Sequence, residues 1–244
     1  MPRVDTSRND DILLLGMNPH PEGEAQALQG NNPKAHVTTV RDTSWETAGN
    51  DQIKAKTAAG QTQVYDLQTE AGVRGFVETL GLPLTQSREV ATVLAQGGAD
   101  ARDELAQLAQ VWARAEKGGV VPSRLVLSAH SIGPMALWGE KNGALDQGII
   151  GRLAQAMPKA AAQVEDLYVA ACYNGNEPSM DAWRAAFPNL KTMAAYTGSA
   201  PGAFVGSTAH MARWEQATRG EVETLRADLQ HGLLKAAVSH GLLW

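Results

Sequence analysis

Short apolar blocks of strand length alternate along the chain with longer stretches in which apolar residues recur at three- and four-residue steps. Blocks that are apolar throughout fit strands buried on both faces, and the wider spacing fits helices with one buried side. Asp11-Ile-Leu-Leu-Leu-Gly16 reads as such a strand, ended by Asn18-Pro19 and a Pro/Gly/Asn-rich stretch that predicts a long loop or short helix. His36-Val-Thr-Thr-Val40 is β-branched enough for a second strand. The polar run from Asp42 to Gln61 predicts a loop or small hairpin, and Gln63-Val-Tyr-Asp-Leu67 a further strand. Helices are predicted from Glu70 to Gly81 and from Ser87 to Gly118. In the second, Leu105, Leu108, Val111 and Trp112 share a face and Gly118-Gly119 forms the C-terminal cap.

The alternation continues with an apolar strand from Leu125 to His130, a glycine-punctuated segment, and a helix near Ile149 to Ala162. A strand from Leu167 to Cys172, a helix from Ser179 to Phe187 with Ser179 as N-cap, and a strand from Leu190 to Tyr196 follow. Thr197 to Gly202 reads as a loop, and helices over about Thr208 to Thr218 and Glu221 to Val238 finish the chain. The expected fold class is α/β: a mostly parallel central sheet of about six strands with helices on both faces. One domain over residues 1–244 is expected, with a polar N-terminal arm at 1–10 and C-terminal helices over 203–244.

Two strand ends carry candidate chemistry. Leu125-Val-Leu-Ser-Ala-His130-Ser-Ile-Gly133 and Leu167-Tyr-Val-Ala-Ala-Cys172-Tyr-Asn-Gly175 each stop an apolar run at a reactive side chain with a glycine close behind. Carboxyl ends of strands are where open α/β sheets place their sites. A neutral thiol is a weak nucleophile and a thiolate a strong one, so an imidazole beside Cys172 would activate it. The 42-residue separation of His130 and Cys172 accommodates a crossover helix and loops between adjacent parallel strands. Ala129, Ser131, Ala170 and Ala171 leave room for a substrate backbone.

Composition narrows the alternatives. The net charge is −5, from 21 basic and 26 acidic residues, with no basic run, so neither nucleic acid nor an anionic membrane surface is an expected partner. The N-terminal residues lack the apolar stretch of a secretory signal, and a soluble cytoplasmic protein is expected. A single cysteine excludes an internal disulfide, and no metal-ligand spacing accompanies it, so neither a metal nor a cofactor is expected. The glycine-rich segments match neither the phosphate-loop nor the dinucleotide pattern.

A strand ending in His, followed by a later strand ending in Ala-Cys with a near glycine, resembles the caspase-like cysteine peptidases. That group contains caspases, metacaspases, gingipains, separases and the bacterial CHAT proteins. The order of His130 and Cys172, the intervening helix, and the helix and strand after the cysteine extend the resemblance from Asp11 to Gly202. It implies a cysteine endopeptidase acting on protein or peptide substrates, with Cys172 as nucleophile and His130 as general base. By the same resemblance, backbone amides around Ser131, Gly133 and Cys172 would hold the oxyanion, and Tyr196, Thr197, Gly198 and Ser199 would bind substrate in an extended form. Ser131 stands where the family usually has glycine. Ala170 and Ala171 stand where members that cleave after basic residues carry an acid, so this motif does not indicate cleavage after Arg or Lys.

Two other readings use the same residues. Ala129-His-Ser131-Ile-Gly133 is close to the Gly-x-Ser-x-Gly elbow of α/β-hydrolases, with Ser131 as nucleophile and Asp166 or Asp181 plus His210, His231 or His240 completing a triad. Pro134 intrudes where the elbow's helix should begin. A caspase-like interaction module without catalysis is the third reading, since folds outlive their chemistry.

Overall fold

The computed structural model describes residues 9–19, 21–30, 32, 35–47, 49–133, 136–139, 143–202, 206–219 and 242–243. In chain order the elements are β1 (Ile12–Gly16), α1 (Glu22–Gln29), β2 (Val37–Val40), α2 (Ser44–Thr47), β3 (Gln52–Lys56), β4 (Thr62–Asp66), α3 (Glu70–Thr79), α4 (Leu84–Ala95) and α5 (Arg102–Glu116). There follow β5 (Arg124–Ser128), β6 (Ala136–Trp138), β7 (Ala144–Asp146), α6 (Gln147–Ala156), α7 (Pro158–Ala161), β8 (Asp166–Ala170), α8 (Glu177–Ala186), β9 (Thr192–Tyr196), α9 (Thr208–Thr218) and β10 (Leu242–Leu243).

The central sheet runs β10-β9-β8-β5-β1-β2. β2, β1, β5, β8 and β9 are parallel, and the two-residue β10 adds an antiparallel edge to β9. The sheet is therefore α/β and mostly parallel, as the alternation predicts. Side chains alternate across it. Leu13, Leu15, Leu125, Leu127, Leu167 and Val169 face a large core with helices α3 to α8, where Trp112 and Trp183 both pack on Phe187. Ile12, Leu14, Val126, Tyr168 and Tyr196 face a smaller core closed by Leu28 of α1 and by Met211 and Trp214 of α9.

A buried cation fastens α9 to the sheet. The guanidinium of Arg124, at the start of β5, lies 3.3 Å from Glu215 Oε1, donates to the Glu215 carbonyl at 3.1 Å and also reaches the Asp10 carbonyl. Such a buried charge persists because its donors are matched by acceptors.

Several predicted boundaries change for local reasons. The helix read over 87–118 divides into α4 and α5 at Gly97-Gly98, where a Cβ on Gly98 would meet the Ala144 carbonyl oxygen at 2.6 Å. Gly118 closes α5 with φ of 86° while the Gly119 N–H donates to the Arg114 carbonyl at 2.9 Å, the expected cap. The helix read over 149–162 breaks at Pro158, which has no N–H to continue it. The strand near Gln63 pairs with β3 in a separate hairpin and is not part of the central sheet. Asn176, not Ser179, caps α8: its side chain accepts the Ser179 N–H at 3.1 Å, while Ser179 is buried and donates to Gln147. The helix expected over 221–238, most of the N-terminal arm, Pro134, His231 and His240 lie outside the described residues. Among the described residues, no helix is long and apolar enough to cross a membrane.

Candidate active site

β5 and β8 are neighbours, paired in parallel from Arg124 with Asp166 through Ser128 with Ala170, a constant offset of 42 residues. His130 and Cys172 keep that offset, each two residues beyond the last pair at the carboxyl end of its strand. Ala129 and Ala171, one residue beyond the pairing, still pack in the larger core, and the Ala129 N–H reaches the Ala170 carbonyl at 3.4 Å. The alternation thus persists one residue past the ladder on both strands. Both His130 and Cys172 are half-buried.

The loop after β8 is held against the loop after β9. Tyr173 N–H donates to the Gly198 carbonyl at 2.9 Å, Gly175 N–H to the Tyr196 carbonyl at 2.6 Å, and Tyr173 Oη lies 3.0 Å from Ser199 Oγ. Asn174 Nδ2 closes back on the Cys172 carbonyl at 2.8 Å. Tyr173 has φ of 57°, a left-handed conformation that a bulky side chain adopts only when its surroundings impose it. Gly175 serves a different need, close approach: a Cβ there would lie 2.8 Å from the Ala195 carbonyl oxygen. The outcome is a sulfur in a fixed place, with the Ala200 N–H donating to Cys172 Sγ at 3.2 Å.

His130 is fixed from the other side. Its backbone exchanges two hydrogen bonds with Trp138 of β6, at 2.8 and 3.0 Å, and its ring lies against the Trp138 indole with centroids 4.7 Å apart. Trp138 is not among the candidate residues that the sequence offers. The β6–β7 hairpin that delivers it lies in the glycine-punctuated segment after His130, for which no strand is predicted.

The remaining predicted residues separate into groups. Ser131 is buried, and its hydroxyl donates to the Gly133 carbonyl at 2.6 Å and accepts the Gly133 N–H at 3.3 Å, a local turn of its own. The Gly133 amide is therefore engaged with Ser131. Thr197 and Ser199 are exposed and Gly198 half-buried beside the Cys172 loop. Tyr196 is fully buried, so its side chain lines no open groove and only its backbone faces that loop. The acids nominated for a serine triad lie elsewhere. Asp166 opens β8, at the opposite end of the strand from Cys172, and accepts from Thr192 Oγ1 at 2.6 Å. Asp181 is exposed and pairs with Arg184 at 2.9 Å.

A layer of polar groups lies beneath the strand ends on the α1/α9 side. Tyr196 Oη is 2.6 Å from both Tyr168 Oη and His210 Nδ1, and burial raises the pKa of both tyrosines well above the usual phenol value. The proximity of Cys172 also raises that of Tyr196. Glu24 of α1 accepts from Ser128 Oγ at 2.7 Å, and Asn18 donates to the same Oγ at 2.8 Å. Burial raises the Glu24 pKa, which favours its neutral form. Ser128 precedes His130 by one same-face step. Nothing in the sequence signalled either network, because each joins residues distant along the chain through one or two polar atoms.

A cleft of about 770 Å³ opens between α3 and α4, over an apolar floor that includes Leu67, Val73 and Val77. It contains no histidine or cysteine, its Thr69 and Ser87 hydroxyls are bonded locally, and it includes no residue from either strand end. The strand ends are the chemically equipped site. Among the described residues, no group of three or more His, Cys, Asp or Glu side chains is placed to hold a metal ion.

No protein-family profile matches the sequence, and no curated protein is similar to it. The structure is similar to that of a secreted C11 cysteine protease from Bacteroides thetaiotaomicron, "iotapain". Identity over that alignment is 12%, with a TM-score of 0.44. The alignment covers 90% of this chain and 59% of the other, so this chain spans about three-fifths of that structure.

Proposed function

We propose that the protein is a cysteine endopeptidase in which Cys172 is the nucleophile and His130 the general base. One observation supports the reading: β5 and β8 are adjacent parallel strands paired up to Ser128 and Ala170, and His130 and Cys172 each follow that last pair by two residues. The Ala200 N–H aimed at the sulfur adds support, because a backbone donor favours a thiolate over a thiol as acceptor.

In this reading His130 takes the thiol proton and the Cys172 sulfur attacks the scissile carbonyl carbon. The tetrahedral oxyanion accepts from backbone amides at Cys172 and the turn after His130. Collapse expels the amine, which takes its proton from His130 and leaves an acyl-enzyme, and water activated by His130 releases the acid. The substrate strand lies along the exposed stretch from Thr197 to Ser199. Ser131 is disfavoured as nucleophile because its hydroxyl is buried in the turn to Gly133.

The test compares Cys172→Ala and Ser131→Ala on a quenched-fluorescence peptide library, with iodoacetamide and a fluorophosphonate as labels. The peptidase reading expects Cys172→Ala to abolish both cleavage and iodoacetamide labelling, while Ser131→Ala keeps turnover within about threefold and no fluorophosphonate adduct forms. Fluorophosphonate labelling at Ser131, or cleavage that survives Cys172→Ala, contradicts it.

A further inference from the structure

The two loops that carry His130 and Cys172 each present a large apolar side chain to water within two residues after the reactive residue. Ile132 is 84% exposed and Tyr173 is 45% exposed, while their neighbours Ser131 and Asn174 are buried. Neither exposure is a matter of a loose loop. The turn from Ser131 Oγ to the Gly133 carbonyl, at 2.6 Å, fixes the backbone that presents Ile132. Tyr173 is held by its N–H on Gly198, by its carbonyl accepting from Asn176 Nδ2 at 2.9 Å and by its hydroxyl beside Ser199 Oγ. Apolar surface kept in water by rigid surroundings is surface prepared for a partner.

Charge supports the same conclusion. The segments 129–133, 170–176 and 196–202 contain no Asp, Glu, Lys or Arg. Glu24, which reaches Ser128 from the α1 side, is 2% exposed and already accepts from that hydroxyl. A charged substrate side chain entering between these loops would lose water and find no counter-charge on them, a loss that apolar side chains do not incur.

We propose that this site takes uncharged polypeptide segments with an aliphatic or aromatic side chain next to the cut, and that Ile132 and Tyr173 are the specificity-determining walls that contact it. The proposal rests on the peptidase reading. Ile132 and Tyr173 touch the substrate flank and take no part in bond making, so their removal weakens binding of the apolar side chain without altering the chemistry at sulfur.

The experiment is a positional peptide library read as kcat/KM, run on the full chain, on Cys172→Ala and on Ile132→Asp and Tyr173→Ala. Expected are Cys172-dependent cleavage at least about tenfold faster for apolar than for Arg, Lys, Asp or Glu side chains at the flanking position, and a drop of about tenfold to hundredfold for apolar peptides in Ile132→Asp. That drop falls mainly on KM, and Ile132→Leu retains the preference. Cys172-dependent cleavage that favours charged side chains, or that is indifferent to Ile132→Asp and Tyr173→Ala, overturns the specificity inference alone. Absence of cleavage, or cleavage that survives Cys172→Ala, overturns the peptidase reading and this inference with it.

Discussion

The backbone N–H of Ala200 donates to Cys172 Sγ at 3.2 Å, linking the loop after β9 to the sulfur at the end of β8. A proline at position 200 removes that donor, and a glycine keeps it. Ala200→Pro is expected to slow iodoacetamide alkylation of Cys172 by about tenfold to hundredfold, the equivalent of roughly 1.5–3 kcal/mol for a hydrogen bond to a charged group. Ala200→Gly should stay within about threefold of wild type. Equal rates in all three proteins would show that the N–H does not act on the thiolate.

Tyr196 stands between Tyr168 and His210, with both hydroxyl-side contacts at 2.6 Å in a fully buried position. Tyr196→Phe keeps the ring in the smaller core but removes the hydroxyl that both Tyr168 Oη and His210 Nδ1 meet. Unfolding in urea should show a loss of about 1–3 kcal/mol. A midpoint indistinguishable from wild type would mean the network contributes nothing to stability.

Much of this fold was legible because its strands are apolar throughout and its helices one-sided. Ile12 to Gly16, Arg124 to Ser128 and Asp166 to Ala170 reveal themselves, and their parallel order follows from the helices between them. The positions of His130 and Cys172 at two strand ends were readable for the same reason. The parts that join these ends were not. Ala200 acts through its backbone, Trp138 arrives on a three-residue strand, and the side chains of Glu24 and His210 meet the sheet only after α1 and α9 have docked. Tyr196 is a substrate contact only by the caspase-like resemblance; its even position turns the side chain into the smaller core.

Glu104 is a buried carboxyl on α5 whose two oxygens meet no hydrogen-bond donor, and burial, reinforced by the neighbouring Asp103 carboxylate, pushes its pKa up to about 10. As a neutral acid it can donate to Asp103, whose Oδ2 accepts the Thr43 N–H and hydroxyl at 2.9 Å each. The unfolded carboxyl ionises near 4.5, so between that value and about 10 unfolding releases a proton. Stability from this site is therefore complete below the lower value and declines as pH rises through the window. Glu104→Gln keeps the shape and the donor but cannot ionise. Thermal unfolding should give similar midpoints near pH 4.5 and an advantage for the variant that widens by several degrees towards pH 9. Parallel midpoint curves would place the proton elsewhere.

The meeting of imidazole and sulfur is tested most directly by the rate of Cys172 alkylation by iodoacetamide in wild type and His130→Ala at one neutral pH, with circular dichroism confirming that both are folded. A general base beside the sulfur predicts that the rate in His130→Ala falls by at least about tenfold. Identical rates in the two proteins would contradict it, since a thiol indifferent to His130 has no general base there.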